Sequence, residues 1–132
     1  MQRGFAILAI DMARIFNLRR TSTLALRQRK GFLLRQLDVP ADLLRASVVE
    51  RYSPCGKAQC HCRHGGPKHG PFHYLIQCLA VGKINKFLLK SQDQQQAARS
   101  GVDHFHLLQE QLEELSQINA ELLRRGERLL PE

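Results

Sequence analysis

Apolar residues follow a helical period at the two ends of this chain and a strand period in its middle. From Phe5 to Leu18 they recur at Phe5, Leu8, Met12, Ile15 and Phe16, with Arg14 and Arg19 off that face, which predicts an amphipathic basic helix. Thr21-Ser22-Thr23 interrupts it with residues suited to capping, and Thr23 to Leu37 reads as a second basic helix carrying Leu24, Leu33, Leu34 and Leu37. Asp38-Val39-Pro40-Ala41-Asp42 has the chemistry of a helix start, so a short helix with Leu43 and Leu44 turned inward is expected next.

The period then shortens. Ser47 to Tyr52 is β-branched and aromatic at Val48, Val49 and Tyr52 and is closed by Ser53-Pro54. Phe72 to Leu79 alternates loosely, Val81-Gly82-Lys83 turns the chain, and Ile84 to Leu89 returns it, which predicts a hairpin. With the strand at Val48 this makes a three-stranded antiparallel sheet. From Gln94 to Arg125 the chain is helix-forming, with Ser91 and Asp93 placed to cap it and Gly101 as a point of weakness. Phe105, Leu108, Leu112, Leu115, Asn119 and Leu122 step by three and four, the pattern of a coiled-coil seam with one polar position. The first half of that stripe is expected on the bare face of the sheet, and the second half offers a surface for a homodimer. The fold class is therefore α+β: a small three-stranded antiparallel sheet with a Cys/His loop, N-terminal helices and a long C-terminal helix. Its segments are 1–37, a basic helical extension; 38–91, the sheet with its loop; and 92–132, the long helix.

Length and composition narrow the picture. At 132 residues and 43% hydrophobic content, with no Trp, the chain supports one mainly aliphatic core. Its net charge of +8 is uneven: residues 1–38 carry +6, 39–91 carry +6 and 92–132 carry −4. A polyanion is the expected partner, nucleic acid first, DNA ahead of RNA, and an anionic membrane surface second. No apolar run is long enough to span a membrane. The segment from Met1 to Lys30 has the basic, acid-poor composition of an organelle presequence, but it reads better as an upstream helix, with the cytoplasm as the compartment.

The chemistry concentrates between the first two strands, in the run Cys55-Gly56-Lys57-Ala58-Gln59-Cys60-His61-Cys62-Arg63-His64-Gly65-Gly66-Pro67-Lys68-His69-Gly70-Pro71. Thiols and imidazoles this close can converge on one ion, because the glycines and prolines let the chain reverse sharply. Cys55, Cys60, Cys62 and His69 are the expected ligands of a structural Zn2+, with His64, His61 and the more distant Cys78 as competing fourth ligands. Three thiolates on a dication leave a charge of about −1, which Lys57, Arg63 and Lys68 are placed to offset. The plain alternative is a polar loop of free thiols. A disulfide is less favoured, since Cys60 and Cys62 are too close to pair easily.

These residues also resemble a family. Ser47-Val48-Val49-Glu50-Arg51-Tyr52, Cys55-Gly56-Lys57, Cys60-x-Cys62, His69-Gly70-Pro71-Phe72-x-Tyr74-Leu75 and Gly82-Lys83 are similar to the Ser-Leu-Val-Glu-Arg-Tyr, Cys-Gly-Lys, Cys-x-Cys, His-Gly-Pro-Tyr and Gly-Lys elements of an uncharacterised family of small prokaryotic proteins. The resemblance runs over roughly residues 38 to 128 and departs at Phe72, where a tyrosine is usual, and before residue 38. It implies the domain and carries no activity with it, although the family's members often accompany mobile genetic elements.

Three functions follow from these readings. The first is a non-catalytic, zinc-stabilised nucleic-acid-binding module in which Arg51, Lys57, Arg63, Lys68, Lys83, Lys86 and Lys90 touch phosphates while Phe72, His73 and Tyr74 either stack on bases or fill the sheet core. The second is an interaction scaffold acting through the acidic helix. The third, less favoured, is a metal-dependent nuclease using His61, His64, His69 and His73, for which Glu50 is the only acid nearby in sequence.

Overall fold

A computed structural model describes residues 18–131. The predicted helix over Phe5 to Leu18 lies outside the described residues except at its end, where Leu18, Arg19 and Arg20 are helical. The elements that follow are α1 (Thr23–Gln36), β1 (Ser47–Ser53), a single 3-10 turn (His61–Arg63), β2 (His69–Ala80), β3 (Lys83–Leu88) and α2 (Gln92–Arg124). The chain divides into two compact units, one within Met1–Val39 and His106–Glu132 and the other Pro40–Phe105. The division falls inside α2, whose first part belongs to the sheet unit and whose second part belongs to the helical unit.

In the sheet unit the strand order is β1-β2-β3, antiparallel throughout. Val48 lies opposite Leu75 and Leu75 opposite Phe87, so these residues share one face. There Leu75, Leu89 and Ala98 of α2 are buried together, with Leu44, Ala46 and Val48 packed around them. Alternation puts Val49, Arg51, Phe72, Tyr74, Ile76, Lys86 and Leu88 on the other face. α2 begins as the sequence predicts at its cap: the Ser91 hydroxyl accepts from the Gln94 N–H at 3.1 Å, and the Gln94 side chain accepts in return from the N–H of Lys90 at 2.8 Å.

The short helix expected after Asp38 does not form. Residues 40–43 make a turn closed by the Leu43 N–H on the Pro40 carbonyl at 3.2 Å, and the Leu44 N–H instead reaches the Gly101 carbonyl at 3.1 Å. Few residues separate this point from β1, too few to offset the nucleation cost of a helix. The Arg45 guanidinium, which donates to the Cys78 carbonyl at 2.8 Å, ties the segment to the sheet. The same crossing explains Gly101. Rather than loosening α2, it leaves room for the neighbouring chain, since a Cβ there would stand 2.3 Å from the Asp42 carbonyl oxygen.

In the helical unit α1 and the second part of α2 run antiparallel. Arg29 meets Glu114 while Arg125 reaches Thr23 and the carbonyl of Leu18. Leu26 and Leu33 of α1 and Ile118 and Leu122 of α2 are fully buried, with Leu18, Leu115 and Leu129 packed against them. The seam read from the sequence is therefore corrected: Ile118 enters the core, and Leu112 is 51% exposed. Glu121 is buried among the apolar residues and holds both Arg124 (2.7 Å) and Arg125 (2.9 Å). The direct bond from Arg124, then that from Arg125, outweighs burial and depresses its carboxyl to about 2.

Candidate metal centre

The connection between β1 and β2 folds back on itself through short local bonds. The Cys60 N–H donates to the Lys57 carbonyl (3.2 Å), the Arg63 N–H to the Cys60 carbonyl (3.1 Å) and the Gly66 N–H to the His61 carbonyl (2.7 Å). These turns bring Cys60 and Cys62 back beside Cys55 at the end of β1, while His69 reaches them from the start of β2. Gly70 follows at φ +141°, packed so closely on β1 that a Cβ would stand 2.9 Å from the Arg51 carbonyl oxygen.

One donor atom from each of Cys55, Cys60, Cys62 and His69 lies within 4.8 Å of all the others. The Cys55 and Cys62 sulfurs are 3.6 Å apart, and the Cys60 sulfur is 3.1 Å from His69 Nε2. A tetrahedral ion with metal–sulfur bonds of about 2.3 Å would separate its sulfur ligands by about 3.8 Å. The four side chains are thus close enough to hold a metal ion. Cys62 is buried, Cys55 and Cys60 are half-buried and His69 is exposed.

The electrostatics prepare this arrangement. A backbone N–H from Cys62, then His69, then the neighbouring thiols Cys55 and Cys62 lower the Cys60 thiol to about 6, so it is a thiolate at neutral pH. The Cys55 N–H donates to the Cys62 sulfur at 3.3 Å and pulls Cys62 down, but burial and the adjacent sulfurs of Cys60 and Cys55 outweigh it and the net shift is upward. A dication would reverse that upward shift, because it neutralises the repulsion among the thiolates.

The competing ligands are elsewhere. His64 Nε2 is 2.9 Å from the Ala58 carbonyl oxygen, a bond that braces the loop. Cys78 is exposed on β2 opposite Ile84, and neither it nor His61 belongs to the group of four. Of the basic residues singled out from sequence, all seven are exposed. Arg63 is spent in part on the loop, its Nε donating to the Cys55 carbonyl at 2.9 Å. Lys57 and Lys68 lie in the loop, Lys83 opens β3 and Lys90 follows it. Arg51 and Lys86 stand on the open face of the sheet, on the two strands that border β2. The ammonium of Lys86 lies over the Tyr74 ring, 4.8 Å from its centroid.

Sequence reasoning missed the pair in which His104 Nδ1 meets Asp42 at 2.7 Å, with Ser100 also donating to that carboxylate. His104, with Ser100, holds Asp42 below the usual carboxylate range. The spacing of Asp42, Ser100 and His104 in the chain carries no signal for it.

A three-stranded antiparallel sheet closed at one end by a three-cysteine, one-histidine cluster and backed by a long helix defines the class: a small α+β module with a candidate metal loop. Within it, residues 24–77 match a domain of unknown function (DUF6788). That span includes all but the first residue of α1, then β1, the whole loop and most of β2. No curated protein and no solved structure matches the chain. Among the described residues, no helix is long and apolar enough to cross a membrane.

Proposed function

We propose that this chain is a zinc-stabilised, non-catalytic module that binds DNA on the open face of its sheet. The observation that carries the reading is the composition of that face. Phe72, Tyr74 and Ile76 line the central strand, with Arg51 on one side and Lys86 on the other. Aromatic rings flanked by cations suit a strand of nucleic acid, whose bases can stack while the phosphates meet the charges. The aromatic face favours unpaired bases over a closed duplex.

Zinc is the ion that suits three thiolates and an imidazole. Four protein donors would complete a tetrahedral shell, whereas a catalytic zinc keeps a position open for water, and this favours a structural role. When bound, the ion would tie the end of β1 to the start of β2, and so hold Arg51 and Phe72 in register beside it.

Anisotropy titrations of labelled oligo-dT and of a mixed-sequence duplex, each at several salt concentrations, test the reading. Oligo-dT should bind more tightly. Arg51→Glu with Lys86→Glu should weaken binding and reduce the salt slope by about 0.7 for each phosphate that the protein no longer neutralises. Tyr74→Ala should weaken the single strand more than the duplex. Absence of binding to either probe at low salt, or binding indifferent to all three substitutions, would remove the open face as the contact surface.

A further inference from the structure

The far end of the β2–β3 hairpin is apolar where a turn is ordinarily polar. Val81 and Gly82 make the turn, with Gly82 at φ +76°. Val81 is fully exposed, and Leu79 and Ile84 beside it are 58% and 64% exposed. Leu79 owes its place to the register. The two steps of β2 from Cys78 to Ala80 span a single step of β3, from Ile84 to Lys83, so Leu79 bulges from the ladder. Three aliphatic side chains thus end the hairpin in water, a patch of the kind that marks a contact surface.

The rim of this tip is cationic, and its charge is not neutralised within the chain. Lys83 follows the turn, Lys86 stands over the Tyr74 ring, and the Arg45 guanidinium holds only the neutral carbonyl of Cys78. From Arg51 to Gln92 the chain contains no Asp or Glu, and among the described residues no carboxylate pairs with any of these three cations. The tip also continues the open face of the sheet. Phe72, Tyr74 and Ile76 lead along β2 towards it, and Cys78 and Ile84 stand opposite each other at its base.

We propose that the tip caps the end of a duplex at the point where a single strand leaves it, so that the preferred substrate is a tailed DNA rather than a plain single strand; the inference rests on the reading that the open face binds DNA. The terminal base pair of a duplex is a flat apolar surface edged by two phosphate backbones. It is the complement of three aliphatic side chains edged by cations. The unpaired strand continues from that pair along β2, where its bases meet Tyr74 and Phe72 and its phosphates meet Lys86 and Arg51. An anionic bilayer would accept the tip but would leave the aromatic length of the face uncovered, whereas a tailed duplex covers both.

Anisotropy titrations of the full chain at one salt concentration compare labelled oligo-dT, a blunt duplex, and the same duplex carrying a dT tail of about eight nucleotides at either end of one strand. The tailed duplex should bind at least about tenfold more tightly than the other two probes, the gain expected from partly burying two aliphatic side chains. Leu79→Ser with Val81→Ser should abolish that preference and leave the affinity for oligo-dT unchanged. Both positions are exposed, so the circular dichroism spectrum should not change. Binding to oligo-dT with no gain from a tail of either polarity, or a gain that survives the double substitution, would overturn the junction reading alone. Absence of binding to all three probes would remove the DNA reading with it. Cosedimentation with phosphatidylserine vesicles that the double substitution abolishes, without any preference for the tail, would assign the tip to a membrane surface instead.

Discussion

Removing the metal should cost the sheet unit about as much as truncating one of its buried leucines. Leu75 and Leu89 are the large apolar residues fully packed in that unit, and cutting either back to alanine costs about 2–5 kcal/mol. A structural zinc bound with a dissociation constant of about 1 nM, at about 1 µM free zinc, stabilises the folded form by about 4 kcal/mol. The same ratio sets the assay. Chelation should speed hydrogen exchange of the β1 and β2 amides through global opening by about a thousandfold, while amides around Leu26 and Ile118 in the helical unit change far less. Cys62→Ser removes the most buried donor and should reproduce most of the loss in the presence of zinc, with cobalt substitution reporting the missing thiolate. If β1 and β2 exchange at the same rate with and without chelator in a protein that retains Cys62, the four side chains are not a structural metal site.

Further outcomes follow from particular residues. In metal-free protein iodoacetamide should modify Cys60 well before Cys62, since one is lowered to about 6 and the other is raised; peptide mapping reads the order, and saturating zinc should suppress both. The Glu121 carboxyl is depressed from 4.5 to about 2, so its contribution is present above the unfolded value and is lost as pH falls from 4.5 towards 2. Glu121→Gln should therefore flatten the acid limb of the stability profile, measured by urea unfolding across that range. Ile118→Ala, in the fully buried cluster, should cost about 2–5 kcal/mol in the same assay. Gly101→Ala should destabilise the sheet unit although alanine is the better helix former, because its Cβ meets the Asp42 backbone; a gain in melting temperature would contradict that close approach.

The sheet and its loop were largely legible in the chain because their signals are local. Two-residue alternation marks strands, and Cys55 to His69 holds every candidate donor within one connection. What covers each apolar face was less legible. Periodicity shows that α2 has an apolar side, but it carries two stripes about a third of a turn apart, and only the packing of α1 decides that Ile118 is buried and Leu112 is not. The turn at Pro40 was misread for a related reason: its proline and acids suit a helix start, while the partner of the Leu44 N–H lies on Gly101, far along the chain. The basic residues showed a net charge without a surface, and strand register was needed to set Arg51 and Lys86 on one face.

The antiparallel pairing of α1 with the end of α2 has a consequence for the order in which the protein can form during synthesis. Arg29 and Glu114 are 85 residues apart in the chain, and Arg125 and Leu18 are 107 apart. The candidate metal loop, by contrast, is complete as soon as His69 has been made. At about 5–20 residues per second, α1 leaves the ribosome several seconds to some twenty seconds before its covering helix exists. Leu26 and Leu33 spend that interval without their native partners, so this helix is made early and buried last. Chains cut short before Ile118 would carry the loop intact together with a basic helix whose Leu26 and Leu33 lack their cover, the kind of transiently exposed apolar surface that makes unfinished chains prone to aggregate.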